Sequence, residues 1–314
     1  MSVYTSVDET NLIGFLANYP VGKLIDFTGI AEGIENTNYK VTTSQASYIL
    51  TLFESSSTQQ IDYALELMTF LSKRLKCFAR PIANLSGTAL ASLNDKPAAL
   101  VQLLEGHSIT QATPRHCQQI GAALAHFHLL GQAFTRPRSN PRGAQWRIAL
   151  AEKLESQLSY DEKILIKDEL LFQEARASDE LPQGIIHGDL FRDNALFHDD
   201  LLSGIIDIYN SGVDTLLYDL AITVNDWCTN HNGVFDHDRL TTLLSAYQLV
   251  RPISEQEKRH WPSVLRAAAL RFWLSRLRNV HFPPPAQLTT SKEPHVFRQL
   301  LENYRSKRTE WPLD

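Results

Sequence analysis

The sequence predicts an α+β protein of two lobes: a small N-terminal lobe of antiparallel β-structure (residues 1–104) and a larger helical lobe (residues 105–314). Three observations predict it. Before residue 104, short runs of strand-favouring residues alternate with polar turns. After Thr113, apolar residues recur every three or four positions over long stretches. Between Ile185 and Asp207, two apolar runs interrupt that helical pattern and bracket a polar stretch containing His187, Asp189, Asp193 and Asn194.

Residues 8–19 place Leu12, Ile13, Phe15 and Leu16 near helical spacing behind two acids, which predicts a short opening helix. Tyr39–Thr43 and Tyr48–Phe53 read as strands joined by the polar turn Ser44–Ser47. Ile61, Leu65, Met68, Leu71 and Leu75 mark one face of a helix over 58–76. Short strands follow at 81–83, 89–93 and 98–104, with Asn94–Pro97 as a turn. Thr113 is a suitable N-cap with Pro114 in the first turn, and Ile120, Leu124, Phe127 and Leu130 form the apolar stripe behind it. Two helices are expected over 145–178, and others over 215–229, 237–249, 254–280 and 294–306, with Pro283–Pro285 as a break.

A chain of 314 residues can form two domains with a sizeable core in each. Its 43% hydrophobic and 21% charged content is ordinary for a globular protein. A formal net charge of −5 argues against nucleic acid as a partner. Cys77, Cys117 and Cys228 are odd in number and lack metal-like spacing, which fits a reducing compartment. No leader pattern and no membrane-length apolar run is visible, so a soluble cytoplasmic protein without a membrane partner is expected. Oligomeric state is not legible.

His187–Asn194 (HGDLFRDN) carries the spacing H-x-D-L-x-x-x-N of a kinase catalytic loop. Phosphoryl transfer needs little covalent help; it needs metal on the phosphates, an oriented acceptor hydroxyl and placed positive charge. On that reading Asp189 accepts the proton of the substrate hydroxyl and Asn194 binds magnesium through a hard oxygen. Asp207 closes an apolar strand 13 residues after Asn194 and would be the second protein ligand of the metal. Taken singly, each of these residues is more often a turn-former or cap. Their fixed spacing between two apolar strands is what favours chemistry. Arg192 is open between an anion contact and a solvated side chain.

The loop, with HGD where protein kinases have HRD, resembles the aminoglycoside phosphotransferase-like superfamily, which also includes choline, methylthioribose and fructosamine kinases. More narrowly, the chain resembles the homoserine kinases of this fold (the non-GHMP type). The narrower resemblance rests on Glu35–Tyr39, Tyr48–Glu54, Gly204–Tyr209, Leu217–Ile222, Asn225–Cys228 (NDWC) and Leu270–Leu277 (LRFWLSRL), spanning residues 35–277. It implies a bilobal protein-kinase-like fold, ATP and Mg2+ as cofactors, and phosphorylation of L-homoserine to O-phospho-L-homoserine on the way to threonine. Another small alcohol (choline, methylthioribose, an aminoglycoside) is the alternative acceptor, and a non-catalytic pseudokinase is a third reading.

Gly29–Asn38 takes the place of the kinase glycine-rich loop without its G-x-G-x-x-G, and Asn36, Thr37 and Asn38 are the expected phosphate donors. Thr51 stands where protein kinases have the third-strand lysine, so Lys40 on the neighbouring strand is the candidate replacement cation, with an exposed strand lysine as its bland alternative. The resemblance puts adenine against backbone groups near Gln102, Leu103 and Leu104. Homoserine is a zwitterion, so its carboxylate calls for an arginine and its ammonium for a carboxylate. The candidates are Arg271 for the former and Asp214 or Asp226 for the latter, with Asn225 and Trp227 lining the pocket. Bland readings stand beside them: Asp214 as a helix cap, Arg271 and Arg276 as ordinary helix cations. Asp219 is expected to anchor the catalytic region by hydrogen bonds.

Overall fold

The computed structural model describes residues 4–30, 36–176, 180–230, 232–283, 293–307 and 309–313. They fall into two compact units. The first takes the residues up to Glu105 together with Ser203–Tyr209; the second holds Gly106–Leu202, Asn210–Pro283 and the described residues that follow.

The first unit is built on a five-stranded antiparallel sheet of β1 (Leu24–Ile30), β2 (Asn36–Thr43), β3 (Ser47–Phe53), β4 (Leu90–Leu93) and β5 (Lys96–Gln102), in the order β1-β2-β3-β5-β4. Alternation along the strands gives the sheet two different faces. Tyr39, Val41, Tyr48, Leu50, Leu52, Ala98 and Leu100 pack into one core with Leu12, Phe15 and Leu16 of α1 (Glu9–Leu16). Enclosing Leu12 completely contributes about 1.5–3 kcal/mol. The opposite face carries Asn38 opposite Thr51, Lys40 opposite Ile49, and Ala99 opposite Thr51. The helix α2 (Thr58–Ser72) starts at a capping box between Ser57 and Gln60.

Two turns differ from expectation. The β4–β5 turn is tighter than Asn94–Pro97: Leu93 already pairs with Lys96, and Asn94 and Asp95 take φ of 50° and 59°. That is the two-residue hairpin geometry that asparagine and aspartate tolerate best. The strand expected at 81–83 is reduced to a bridge between Pro81 and Val101, flanked by Ile82 N–H to Leu100 O and Gln102 N–H to Arg80 O. Pro81 has no N–H to extend the pairing.

Ser203–Tyr209 joins this unit through one edge: Ile205 bridges Phe78 in parallel and its N–H donates to Cys77 O at 2.7 Å. Tyr209 packs edge-on against Phe53, ring centroids 5.2 Å apart.

The second unit is helical: α3 (Pro114–Gly131), α4 (Ala144–Leu154), α5 (Tyr160–Glu174), α6 (Leu216–Trp227), α7 (His237–Val250), α8 (Glu255–His281) and α9 (His295–Ser306). Capping boxes open α3 at Thr113, α5 at Ser159 and α8 at Ser254. A short ribbon of β6 (Gln183–Ile186) and β9 (Gly212–Thr215) brings the chain into and out of the polar stretch, and β7 (Ala195–His198) pairs with β8 (Leu201–Ile205) beyond it. Among the described residues, no helix is long and apolar enough to cross a membrane.

The tightest helix contact is between α3 and α7. A Cβ added to Gly121 would collide with the carbonyl group of Leu243, which the backbone of α7 cannot withdraw without moving the helix. Gly121→Ala is therefore expected to destabilise the fold by about 1–3 kcal/mol despite alanine's better helix propensity. Urea unfolding of the two proteins checks this; equal midpoints would contradict it.

Candidate active site

The polar stretch leaves β6 at His187, and its backbone is held from below by one carboxylate. Asp219, on the first turns of α6 and fully enclosed, accepts from His187 N–H at 2.7 Å through Oδ2 and from Gly188 N–H at 2.8 Å through Oδ1. His128 of α3 adds a third bond to Oδ2 at 3.0 Å from its Nε2. Its Nδ1 lies 2.7 Å from the Tyr247 hydroxyl of α7. With Asp219 ionised, Nε2 carries the proton and Nδ1 accepts from Tyr247. Burial raises the Asp219 pKa, but the bonds from His128 and Gly188 outweigh it and hold the carboxyl below its ordinary range. Burial likewise drives His128 below its ordinary value of 6.5, against the pull of Asp219. Asp219 thus performs the anchoring expected of it.

Gly188 takes φ of +75°, where a side chain is strained. This explains glycine in HGD. The turn that follows is closed by its own groups: Asp189 N–H donates to His187 Nδ1, Phe191 N–H to Asp189 O, and Asn194 Nδ2 to Asp189 O at 2.8 Å. Asp189 and Asn194 are each half-buried. The Asn194 amide donates Nδ2–H to Asp189 O, and no hydrogen bond to its Oδ1 is present among the described residues.

Arg271 of α8 is 4% exposed, and its Nη1 stands 3.6 Å from Asp189 Oδ1. Its guanidinium lies over the Phe272 ring at 3.7 Å, and its Nε has no hydrogen-bond partner. Arg276, one and a half turns on, is pulled down to about 10 by burial, opposed by Asp226, Asp193 and Asp189.

Other expected residues sit differently. Asp226, expected to meet a substrate ammonium, accepts from Arg192 N–H at 2.8 Å, Arg192 Nε at 3.0 Å and Arg192 Nη2 at 3.2 Å. The carboxylate that Arg192 meets is thus one of the protein's own, and the pair ties the loop to α6. Trp227, expected to line the pocket, is fully enclosed beneath the loop and donates Nε1–H to Leu190 O at 3.0 Å. Its indole supports the loop and presents no surface to a ligand. Asn225 is likewise internal, bonded to Leu265 O and the Tyr304 hydroxyl. Asp214, on β9, accepts from Asn140 Nδ2 and Thr215 N–H. It does not cap α6, whose N-cap is Thr215.

In the first unit, Asp207 is exposed and takes φ of 61°, a left-handed conformation unusual outside glycine. The nearby Tyr209 hydroxyl bonds Thr51; burial and the Asp207 charge push its pKa up. Thr51 Oγ1 also donates to Asn38 Oδ1 at 2.8 Å, so the threonine that replaces lysine knits β2 to β3. Lys40 is exposed two residues from Asn38, on the same face. Asn36 Oδ1 is buried without a partner.

Thr37 requires a correction. Its fully buried hydroxyl points to the other face, donating to Glu54 Oε1 at 2.7 Å and accepting from Tyr4 and Thr5 N–H. It is saturated by internal bonds and its side chain is no phosphate donor. Residues 31–35 of the glycine-rich stretch lie outside the described residues. Gln102 is corrected in part, since its N–H is committed to Arg80 O; Leu104 makes no backbone hydrogen bond among the described residues.

The donor atoms suit magnesium. Asn194 Oδ1 and the Asp207 carboxylate are hard oxygens of the kind magnesium takes. Magnesium is ordinarily held by one or two such groups plus phosphate oxygens and water. Among the described residues, no cluster of three or more His, Cys, Asp and Glu side chains offers a softer metal a site.

Comparison with known proteins agrees with this chemistry. Residues 26–253 match the model of the APH phosphotransferase enzyme family. The chain belongs to that family and is a kinase-class enzyme. It is 44% identical to the homoserine kinase of Methylobacillus flagellatus over 96% of this chain and 95% of that one. It is 40% identical to the homoserine kinase of Janthinobacterium sp. (strain Marseille) over the same shares. Solved structures show the same fold at low identity. An amicoumacin kinase, in complex with AMP-PNP, Ca2+ and its ligand, has a TM-score of 0.71 at 17% identity over 96% of this chain and 92% of that one. A spectinomycin phosphotransferase has 0.68 at 13% over 95% of each. The expected bilobal kinase-like α+β fold is thereby shown.

His128 escaped the sequence reading. His126 and His128 flank Phe127 alike in the chain, and only packing leaves the first exposed and encloses the second.

The buried His128 predicts a pH dependence. Its folded pKa lies below 6.5, so the folded state binds fewer protons than the unfolded chain; its contribution is complete above pH 6.5 and is lost as pH falls below it. Each unit below that point costs up to about 1.4 kcal/mol until the folded value is reached. Melting temperature should fall between pH 6.5 and 5 in the wild type, and less steeply in His128→Gln. Parallel curves would contradict this.

Proposed function

We propose that the protein phosphorylates the hydroxyl of L-homoserine with ATP, yielding O-phospho-L-homoserine in the route to threonine, in the cytoplasm. Near-full-length similarity to proteins named homoserine kinase supports the reaction. The observation that carries the choice of acceptor is Arg271, a buried guanidinium 3.6 Å from Asp189. A cationic acceptor such as choline or an aminoglycoside gains nothing from it, whereas a carboxylate does.

Asp189 accepts the hydroxyl proton as the oxygen attacks the γ-phosphorus. Its orientation is fixed by the bonds that Asp219 makes to the two preceding peptides and by the turn that Asn194 closes. Asn194 and Asp207 would hold magnesium, which when bound neutralises charge on the phosphates. With Thr51 in the lysine position, Lys40 and Asn36 are the groups of the first unit we assign to the phosphates, and the Leu104 peptide to adenine. Asp214 remains a candidate for the substrate ammonium.

ADP release measured with magnesium-ATP against a panel of amino acids, amino alcohols and sugar alcohols tests the acceptor. Turnover is expected with L-homoserine above all others; preference for a cationic alcohol would overturn the reading, and silence on every acceptor would favour a pseudokinase. Asp189→Asn should lower kcat by about 10²–10⁴ while the KM for ATP is largely kept. Asp207→Ala should remove productive use of magnesium-ATP, and near-normal turnover in either variant would refute its assigned role. Lys40→Met should raise the KM for ATP; an unchanged value would remove Lys40 from the phosphate site.

A further inference from the structure

The close packing of α3 on α7 does more than stabilise the fold. Gly121 lets the backbone of α7 at Leu243 come against α3. His128 stands about two turns further along α3 and Tyr247 about one turn further along α7, so both lie at the same seam. There the Tyr247 hydroxyl meets His128 Nδ1 at 2.7 Å, with the rings edge-on at 75° and both side chains fully enclosed. Tyr247 also packs against Arg251, whose guanidinium carbon lies 5.8 Å from the ring centroid and whose Nη2 is 2.8 Å from Glu257 Oε1. A guanidinium accepts no hydrogen bond, so the hydroxyl proton turns away from Arg251 and toward His128. His128 is left with Nε2–H to give, and it gives it to Asp219 Oδ2 at 3.0 Å.

A seam between two helices needs no polar pair; apolar side chains fill it without any bond to satisfy. Here, from Tyr247 to Asp219, every side-chain polar atom is paired, and the chain of bonds ends on the His187 and Gly188 peptides, immediately before Asp189. We infer that Tyr247 is a positioning residue for phosphoryl transfer: its hydroxyl fixes the ring and tautomer of His128, which holds Asp219 on the two peptides that aim Asp189. This rests on the reading of Asp189 as the base and deepens it. With its proton on Nδ1 instead, His128 would turn a lone pair toward the Asp219 carboxylate. Two acceptors facing each other in a dry setting repel, and the carboxylate would draw off the peptide N–H groups. Tyr247 closes that alternative by occupying Nδ1 as a donor. Being fully enclosed, it meets neither nucleotide nor acceptor, so its loss acts on the rate of the bound complex and leaves binding alone.

The test is steady-state kinetics of the full chain with magnesium-ATP and L-homoserine, with kcat expressed per ATP-binding site counted by calorimetric titration. Tyr247→Phe keeps the ring and removes the hydroxyl alone. Its kcat should fall about tenfold, since a small displacement of a reacting group is enough for that, while both KM values stay within about twofold of wild type. His128→Gln keeps an amide donor for Asp219 and should retain more of the rate than His128→Leu, which has none; this pair carries the test should Tyr247→Phe fail to fold. Adding Tyr247→Phe to His128→Leu should cost nothing further, because the hydroxyl acts through the imidazole. A merely structural role would thin the folded population and leave kcat per ATP site at the wild-type value, which would overturn the assignment. So would equal rates in His128→Gln and His128→Leu. Amide hydrogen exchange at His187 and Gly188 should quicken in Tyr247→Phe. Should the wild type turn over no homoserine, the functional reading falls, and unchanged exchange at those two amides would overturn the positioning role separately.

Discussion

The grip of the Asp219 carboxylate on the His187 and Gly188 peptides is the interaction on which the rest of the site depends. Two backbone N–H groups at the end of β6 would otherwise be buried unpaired, at about 1–3 kcal/mol each. Satisfying them from a single carboxylate fixes the direction in which the chain leaves the strand, and with it the position of Asp189. The same carboxylate takes a further hydrogen bond. His128 supplies it and is in turn held by Tyr247, so α3, α6 and α7 share one buried polar chain that ends at the turn carrying Asp189.

Around this anchor, charge is used in two ways. The pair between Arg192 and Asp226 is consumed internally and pins the loop to α6. Arg271 stands 3.6 Å from Asp189 and keeps a buried Nε without a hydrogen-bond partner. A guanidinium in such a place interacts with an incoming anion far more strongly than one on the surface. Arg192 and Arg271 look alike as letters, yet the first is bonded to Asp226 and the second stands 3.6 Å from Asp189 with its Nε unbonded.

This difference explains how much was legible in the sequence. The turn from His187 to Asn194 was readable because its chemistry is local: fixed spacing between two apolar strands constrains every member. Helix and strand positions were readable for the same reason, through periodicity and caps. The substrate wall was not. Trp227 and Asp226 carry pocket-like chemistry yet are bonded inside the protein, and only tertiary packing decides which way each points. Thr37 was misplaced by a single residue of strand alternation, a period-two rule that becomes usable once the register with β3 is known.

The composition of the first unit has a consequence for how the chain is made. Its sheet comes from residues up to Glu105, but Phe53 packs against Tyr209 and the Phe78 backbone bridges Ile205, more than a hundred residues later. During synthesis the N-terminal sheet must therefore wait with part of its apolar surface uncovered until Ser203–Tyr209 emerges. Vectorial folding, domain after domain, is closed to this topology. An excised fragment ending at Glu105 would be an incomplete domain, exposed at the very face that carries Asn38, Lys40 and Thr51.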